Sequence, residues 1–491
     1  MVLRAGAGRE RLWARSPAGN GIASLVPPYP YTNATLDMAF TANAYTYGDR
    51  SLDLDFTSGA SNAFYFRESP AMPSYSSLTA FLTGIGGTFT RASSGTYFDA
   101  TGTMQTAAAN VPRLDYNPAT LAARGYLREP PRTNSIPNNS ATGAVAGSPG
   151  TLPTGVFTGF TANQGTAVAS VALVGVESGI TYWDVNIAGV TTGVGALSVL
   201  FTGSTAIVAS SGQIYAASLY TRLSGGTAAN ITGGTLSISE YTSGGTFVAG
   251  NSGVADLTAS TLAAGRSVHV RTLSGGGTVA RVQAGFSVSY TAGAVNATYR
   301  IGLPQLELVP TAASTASSPI VTTSAAVARA ADVFTLPTAG WLNAAAGTFY
   351  VEGVALTNNN GGAATMRLMS ANDGSSVSNT RIMMGLSLSG GLKRGQVINA
   401  GVTLSDSAGA AYTPGVKTKM AIAYASGDYA FAADGAIAGT SSTAGALPTM
   451  INLDVAGDIA GAPFSDLHGW IERIFYVPSR LANATLQSIT T

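Results

Sequence analysis

Short runs recur along this chain in which large apolar side chains alternate with small or polar ones. Their period of two places successive side chains on opposite faces of a β-strand. Leu52–Phe56 reads Leu, Asp, Leu, Asp, Phe. Phe286, Val288 and Tyr290 alternate with two serines, and Phe349 and Val351 share one strand face while Tyr350 and Glu352 take the other. Gly-Gly, Ser-Gly and Asp-Gly pairs separate the runs and supply the positive φ of tight turns. Met420, Ile422 and Tyr424 alternate with alanines, Ser426-Gly427-Asp428 follows, and Tyr429 and Phe431 resume the pattern, which predicts a hairpin. Strand spacing is often near about 8–12 residues, the rhythm of sandwiches and jelly rolls. Helical periodicity is scarce, and the best helix it predicts is Ser479–Ser488, carrying Leu481, Ala484 and Leu486. The fold class is therefore all-β: tandem β-sandwich (jelly-roll) domains behind an extended N-terminal attachment region. No fixed-period repeat is present, so β-helices and propellers lose ground.

Composition shifts divide the chain. Residues 1–30 are basic and then Pro-rich, and residues 1–80 are expected to form the attachment region. Residues 81–134 read as a connecting segment, 135–311 as a first jelly roll, 312–331 as a small-residue linker, and 332–491 as a second sandwich. Strands rich in Ala, Gly, Ser and Thr pack closely but bury little area each, so such a domain needs many strands or neighbouring subunits to offset chain entropy. A homo-oligomer, with a trimer favoured, is the expectation.

Charge narrows the chemistry. The 491 residues hold 25 basic and 24 acidic side chains, no Cys, and only His269 and His468. A net charge of +1 is poor footing for nucleic acid. Zero Cys removes disulfides, Cys-zinc sites, iron–sulfur ligation and thiol nucleophiles. Apolar stretches break well short of a membrane span. The first residues carry Arg4, Arg9, Arg11 and Arg15 with no apolar region behind them, so they read as a disordered tail or as a docking peptide rather than a secretory signal.

Catalytic motifs are mostly missing. No Gly-x-Ser-x-Gly elbow or phosphate-cradling Gly-x-x-x-x-Gly-Lys occurs. His269 alternates with Val268 and Val270 and reads as a solvent-facing strand residue, and His468 as structural. Asp53 and Asp55 share a strand face that reads as solvated, and Asp373-Gly374 and Asp434-Gly435 as turns. No catalytic residue, metal or cofactor is assigned. A glycosidase needs two carboxylates across a sugar, and the acidic residues leave one open. Sugar binding needs less: an aromatic plane for the C–H face of a pyranose, and polar groups for its hydroxyls. Tyr182, Trp183 and Asp184 are the best candidates, with Tyr215, Tyr220 and Tyr241 behind them. Trp341 and Trp470 read as core.

Three segments resemble bacterial-virus head-spike and tail-fibre proteins, including those of gene transfer agents. In Phe89–Asn134 the matching residues are Phe89, Arg91, Thr96, Tyr97, Gly102, Asn110, Pro112, Arg113, Asp115, Tyr116, Gly125, Leu127, Glu129, Arg132 and Asn134; Pro130-Pro131 departs from the usual small or acidic pair. Ile301–Phe334 is similar to the closing strand and exit linker of a carbohydrate-binding-module jelly roll. Leu467–Thr490, where a strand runs into Pro478-Ser479-Arg480-Leu481 and a helix, resembles the end of concanavalin-A-like lectin domains. The resemblance implies a spike or fibre on a phage-like particle. Through its N-terminal region the chain would join other particle proteins, and it would adhere to host-cell capsular polysaccharide without cleaving it. The rival readings are a virion depolymerase of that polysaccharide and a purely architectural spacer.

Overall fold

A computed structural model describes residues 52–57, 64–66, 74–75, 78–357, 365–375, 379–387, 390–458 and 466–491. The fold is all-β, with two sandwiches, as the alternation requires. In the first, one sheet runs Phe157–Phe160, Gly195–Leu200, Arg281–Tyr290, Ile231–Tyr241 and Phe247–Ala255, with Ile207–Val208 also on Arg281–Tyr290. The facing sheet runs Val168–Glu177, Ile180–Thr191, Gly293–Val309, Ile214–Thr227 and Arg266–Thr272. Trp183, Val185 and Ile187 from one sheet meet Phe286, Val288 and Tyr290 from the other in a single apolar cluster.

In the second sandwich Phe349, Val351, Met420, Ile422 and Phe431 point into the core. The hairpin Lys417–Ala425 and Asp428–Ala433 pairs Tyr424 with Tyr429 and Ala425 with Asp428. Its turn holds Gly427 at φ +72°, where a side chain would be strained. Ala421, Ala423, Ala430 and Ala432 face the other way and leave room for a helix, Asn483–Thr490, whose Leu486 and Ile489 lie against them.

The order of segments departs from the expected tandem. Leu52–Asp55 pairs with the last strand, Gly469–Val477, and Thr88–Thr90 pairs with Val333–Pro337. Ala123–Arg128 pairs with that same last strand through Tyr126 and Ile471. The segment read as a connector over 81–134, and the described part of 1–80, thus supply strands to the sandwich of residues 332–491. The first jelly roll is an insertion between them. Composition marks such strands but carries no information on which distant edge they complete. Residues 1–51, where the basic docking peptide was placed, lie outside the described residues.

The stretch expected as a linker, 312–331, is packed rather than free. Val327–Arg329 pairs with Arg132–Asn134. Thr96 donates its hydroxyl to the Pro319 carbonyl at 2.6 Å, and the Asn134 amide donates to the Ile320 carbonyl at 3.0 Å. Beneath these contacts lies a buried ion network. Arg91 meets Asp332 at 2.9 Å, Arg113 meets Asp332 and Glu129 at 2.7 Å each, and Arg329 meets Glu129 at 2.9 Å. The Ser318 amide and hydroxyl both donate to Glu129 at 2.6 Å. Glu307 sits close enough to act on Arg329 and accepts the Ser317 amide at 2.8 Å, so three acids face three guanidiniums. Burial alone would raise the Glu129 carboxyl; Arg329 and Arg113 outweigh it and hold that carboxyl well below its ordinary range.

Two outcomes follow from this network. Arg113→Met leaves Glu129 and Asp332 short of a partner and should destabilise the protein by about 3–5 kcal/mol in urea unfolding. The Glu129 contribution is complete above the unfolded carboxyl's pKa of about 4.3 and is lost as pH falls through its lower folded value. The melting temperature should therefore drop steeply below about pH 4.3, and less steeply in Glu129→Gln, which starts lower at pH 7. Parallel melting curves for the two proteins would show that Glu129 carries none of the acid sensitivity.

Candidate ligand-binding cleft

A cleft of about 410 Å³ opens where the two sandwiches and the segment 95–128 meet. Its walls include Tyr97, Arg124, Tyr220, Arg266, His468 and Trp470. Local structure sets each in place. Gly125 takes φ +102°, and a Cβ there would come within 2.3 Å of the Ile471 carbonyl. This close approach lays Ala123–Arg128 along the last strand, pairs Leu127 with Trp470, and leaves the adjoining Arg124 over the indole, 4.7 Å from its centre. The Trp470 Nε1–H donates to Asp115 Oδ2 at 2.9 Å, which orients the ring. Trp470 stays half-buried and lends the cleft its exposed part.

The carboxylates at this site are engaged. Asp115 accepts the Phe98 amide at 2.8 Å as well as Trp470, with Arg124 at 3.5 Å. Burial pushes the Asp115 carboxyl above its usual range, against the pull of the Phe98 amide and Arg124. Glu129 belongs to the ion network. His468 is buried, its Nε2 is 3.7 Å from Glu129 Oε1, and that nitrogen has no hydrogen-bond partner among the described residues.

The residues singled out from sequence fall in separate places. Strand alternation sends Trp183 inward, fully buried and edge-on to Phe201 at 6.4 Å, so it offers no face to a sugar. Its neighbours Tyr182 and Asp184 point to the opposite side of the sheet. There Arg300 lies 3.6 Å from the centre of the Tyr182 ring and holds Asp184 through two contacts of 2.9 Å. Both are buried, and the hairpin Gly95–Phe98 and Met104–Ala107 packs Phe98 and Met104 in one cluster with Tyr182. Tyr220 is buried under the same hairpin but does line the cleft. Tyr215 is buried in the jelly-roll core. Tyr241 donates to Gln283 Oε1 at 2.7 Å on the other sheet.

Trp341, read as core, is buried there, whereas Trp470, also read as core, opens onto the cleft. His269 lies half-buried on its strand, 2.9 Å from Asn251 Oδ1. Asp55 accepts the Thr57 amide at 2.9 Å, and Asp373 accepts that of Ser375 at 3.0 Å. Among the described residues no group of three His, Asp or Glu is placed to hold a metal ion, and no helix is long and apolar enough to cross a membrane.

Sequence reasoning missed Trp470, Arg124 and Arg266 as neighbours. Arg124 stands beside Gly125, a residue of the Phe89–Asn134 pattern, but only the fold brings it to a tryptophan 346 positions away.

No family model matches the chain, and no curated protein matches it. Among solved structures it is similar to the CBM40 of the Ruminococcus gnavus IT-sialidase bound to alpha2,3 sialyllactose, at 18% identity and a TM-score of 0.27, over 30% of this chain and 83% of that one. Domain 4 of AbnA, a GH43 extracellular arabinanase from Geobacillus stearothermophilus in complex with arabinotriose, aligns at 12% identity and a TM-score of 0.25, over 33% and 73%. A heptameric SAP-like pentraxin from Limulus polyphemus aligns at 16% identity and 0.24, over 32% and 72%. These likenesses span about a third of the chain and assign it no ligand.

The position of Trp183 carries its own test. Trp183→Ala should cost about 3–5 kcal/mol of stability by opening a cavity in the jelly roll. Urea unfolding measures this; a loss under about 1 kcal/mol would mean that the indole is not packed in the core.

Proposed function

We propose that the chain is a non-enzymatic spike or fibre protein on the surface of a phage-like particle, and that it adheres to host-cell surface polysaccharide through the cleft between its sandwiches. The observation that carries the reading is Trp470: a half-buried indole, oriented by Asp115, on the wall of a concave site built from stretches far apart in the chain. A ring so held gives a pyranose an apolar surface beside polar groups. The two carboxylates at the site, Asp115 and Glu129, are spent on hydrogen bonds and ion pairs, which favours holding a glycan over hydrolysing it. Residues 1–51, within the N-terminal region, would join the chain to other particle proteins. Several copies, a trimer being the simplest arrangement, would turn a weak site into firm adhesion through avidity.

Trp470→Ala should weaken binding of purified capsular polysaccharide by about tenfold, the worth of one aromatic contact, while the melting temperature of the first sandwich holds. Surface plasmon resonance on immobilised polysaccharide reads the affinity, and a reducing-end assay on the same mixture reads cleavage. Binding unchanged by the substitution would remove the cleft from the account. Release of reducing ends would make the protein a depolymerase.

A further inference from the structure

We infer that the cleft is selective for acidic glycans and seats a sugar carboxylate between Arg266 and Arg124. The inference rests on the adhesion reading above and names its ligand class.

Two guanidiniums line the cleft, and each lies against an aromatic ring. Arg124 is 4.7 Å from the centre of Trp470, and Arg266 is 5.5 Å from the centre of Tyr220. Stacking of this kind fixes the plane of a guanidinium and leaves its N–H edge free to bond. Neither edge is saturated by acid. Arg124 reaches Asp115 only at 3.5 Å, and its side chain remains 33% exposed. Arg266 donates through Nη2 to Ser218 Oγ at 3.0 Å and to the Ser317 carbonyl at 2.5 Å; both partners are neutral. Its Nε has no hydrogen-bond partner among the described residues.

Charge points the same way. Glu129 is balanced by Arg113 and Arg329 behind the wall, so it does not neutralise the cleft. Of the two carboxylates that line the cleft, Glu129 is thus already matched, which leaves Asp115 against both Arg124 and Arg266. One negative charge on the ligand closes that balance. A planar carboxylate matches the guanidinium fork with two parallel hydrogen bonds, and such charge-assisted pairs are about twice as strong as neutral ones. The sugar ring that bears the carboxylate would lie toward the exposed part of Trp470. A neutral glycan would desolvate the two guanidiniums without supplying a charge to balance them, which costs affinity.

The test uses the full-length chain. Binding is measured on a panel of polygalacturonate, alginate and polysialic acid, with dextran sulfate as a sulfated polymer and dextran and laminarin as neutral ones. Each carboxylated polymer is also presented after chemical reduction of its carboxyl groups to alcohols. The expected result is binding to at least one carboxylated polymer, lost by tenfold or more on carboxyl reduction. That binding should weaken about tenfold in Arg266→Gln and in Arg124→Gln, one charged hydrogen bond being worth about 1.5–3 kcal/mol. The Arg124 side chain remains 33% exposed, so its variant keeps the test sound if Arg266→Gln misfolds by circular dichroism. Binding that is indifferent to carboxyl reduction, or confined to neutral polymers, would overturn the acidic selectivity and leave adhesion standing. Preference for dextran sulfate would overturn the carboxylate in favour of a sulfate ester. Failure to bind any polymer would overturn adhesion and selectivity together.

Discussion

The buried pairing of Arg91, Arg113 and Arg329 with Glu129 and Asp332 is the constraint on which the rest of the molecule depends. These side chains come from both flanks of the inserted jelly roll: three precede it in the chain and two follow it. The network therefore staples the insertion's entry to its exit. Charges withdrawn from water are costly unless paired and hydrogen-bonded. The arrangement satisfies Glu129 with two guanidiniums and with the amide and hydroxyl of Ser318. A network of this kind specifies geometry more than it adds stability. Here the geometry it specifies is the mutual placement of two sandwiches, and the cleft is the gap left between them.

That placement explains a pattern in the sequence. Phe89–Asn134 carries Arg91, Arg113, Asp115, Gly125, Glu129 and Asn134 with uneven spacing and no period, so it resists reading as a strand or a helix. Each of those residues has a distinct task in the structure. Arg91, Arg113 and Glu129 build the ion network. Gly125 lets two strands approach, Asp115 aims Trp470, and Asn134 holds the exit segment at Ile320.

Much of the fold was legible because alternation is a local signal. The strands around Phe286, Phe349 and Met420, the hairpin at Gly427 and the terminal helix all announce themselves within about ten residues. The insertion was not legible, because nothing local tells Leu52–Asp55 that its partner is the last strand. The site suffered for a related reason. Tyr182, Trp183 and Asp184 are adjacent in sequence, but a period of two places the tryptophan on the opposite face from its neighbours, so the three never share a surface. That rule was available from the sequence itself. The grouping of Trp470 with Arg124, Tyr220 and Arg266 was not, since it joins four strands through pairing that only the folded chain reveals.

The central claim is that the gap between the interlocked sandwiches is where glycan is held. Hydrogen–deuterium exchange with and without bound polysaccharide tests it most directly. The account predicts slowed exchange in residues 95–98, 123–128, 266–268 and 466–471, with the outer strand Val168–Glu177 unchanged. Slowing confined to that outer strand, or to the free face of the second sandwich, would contradict it.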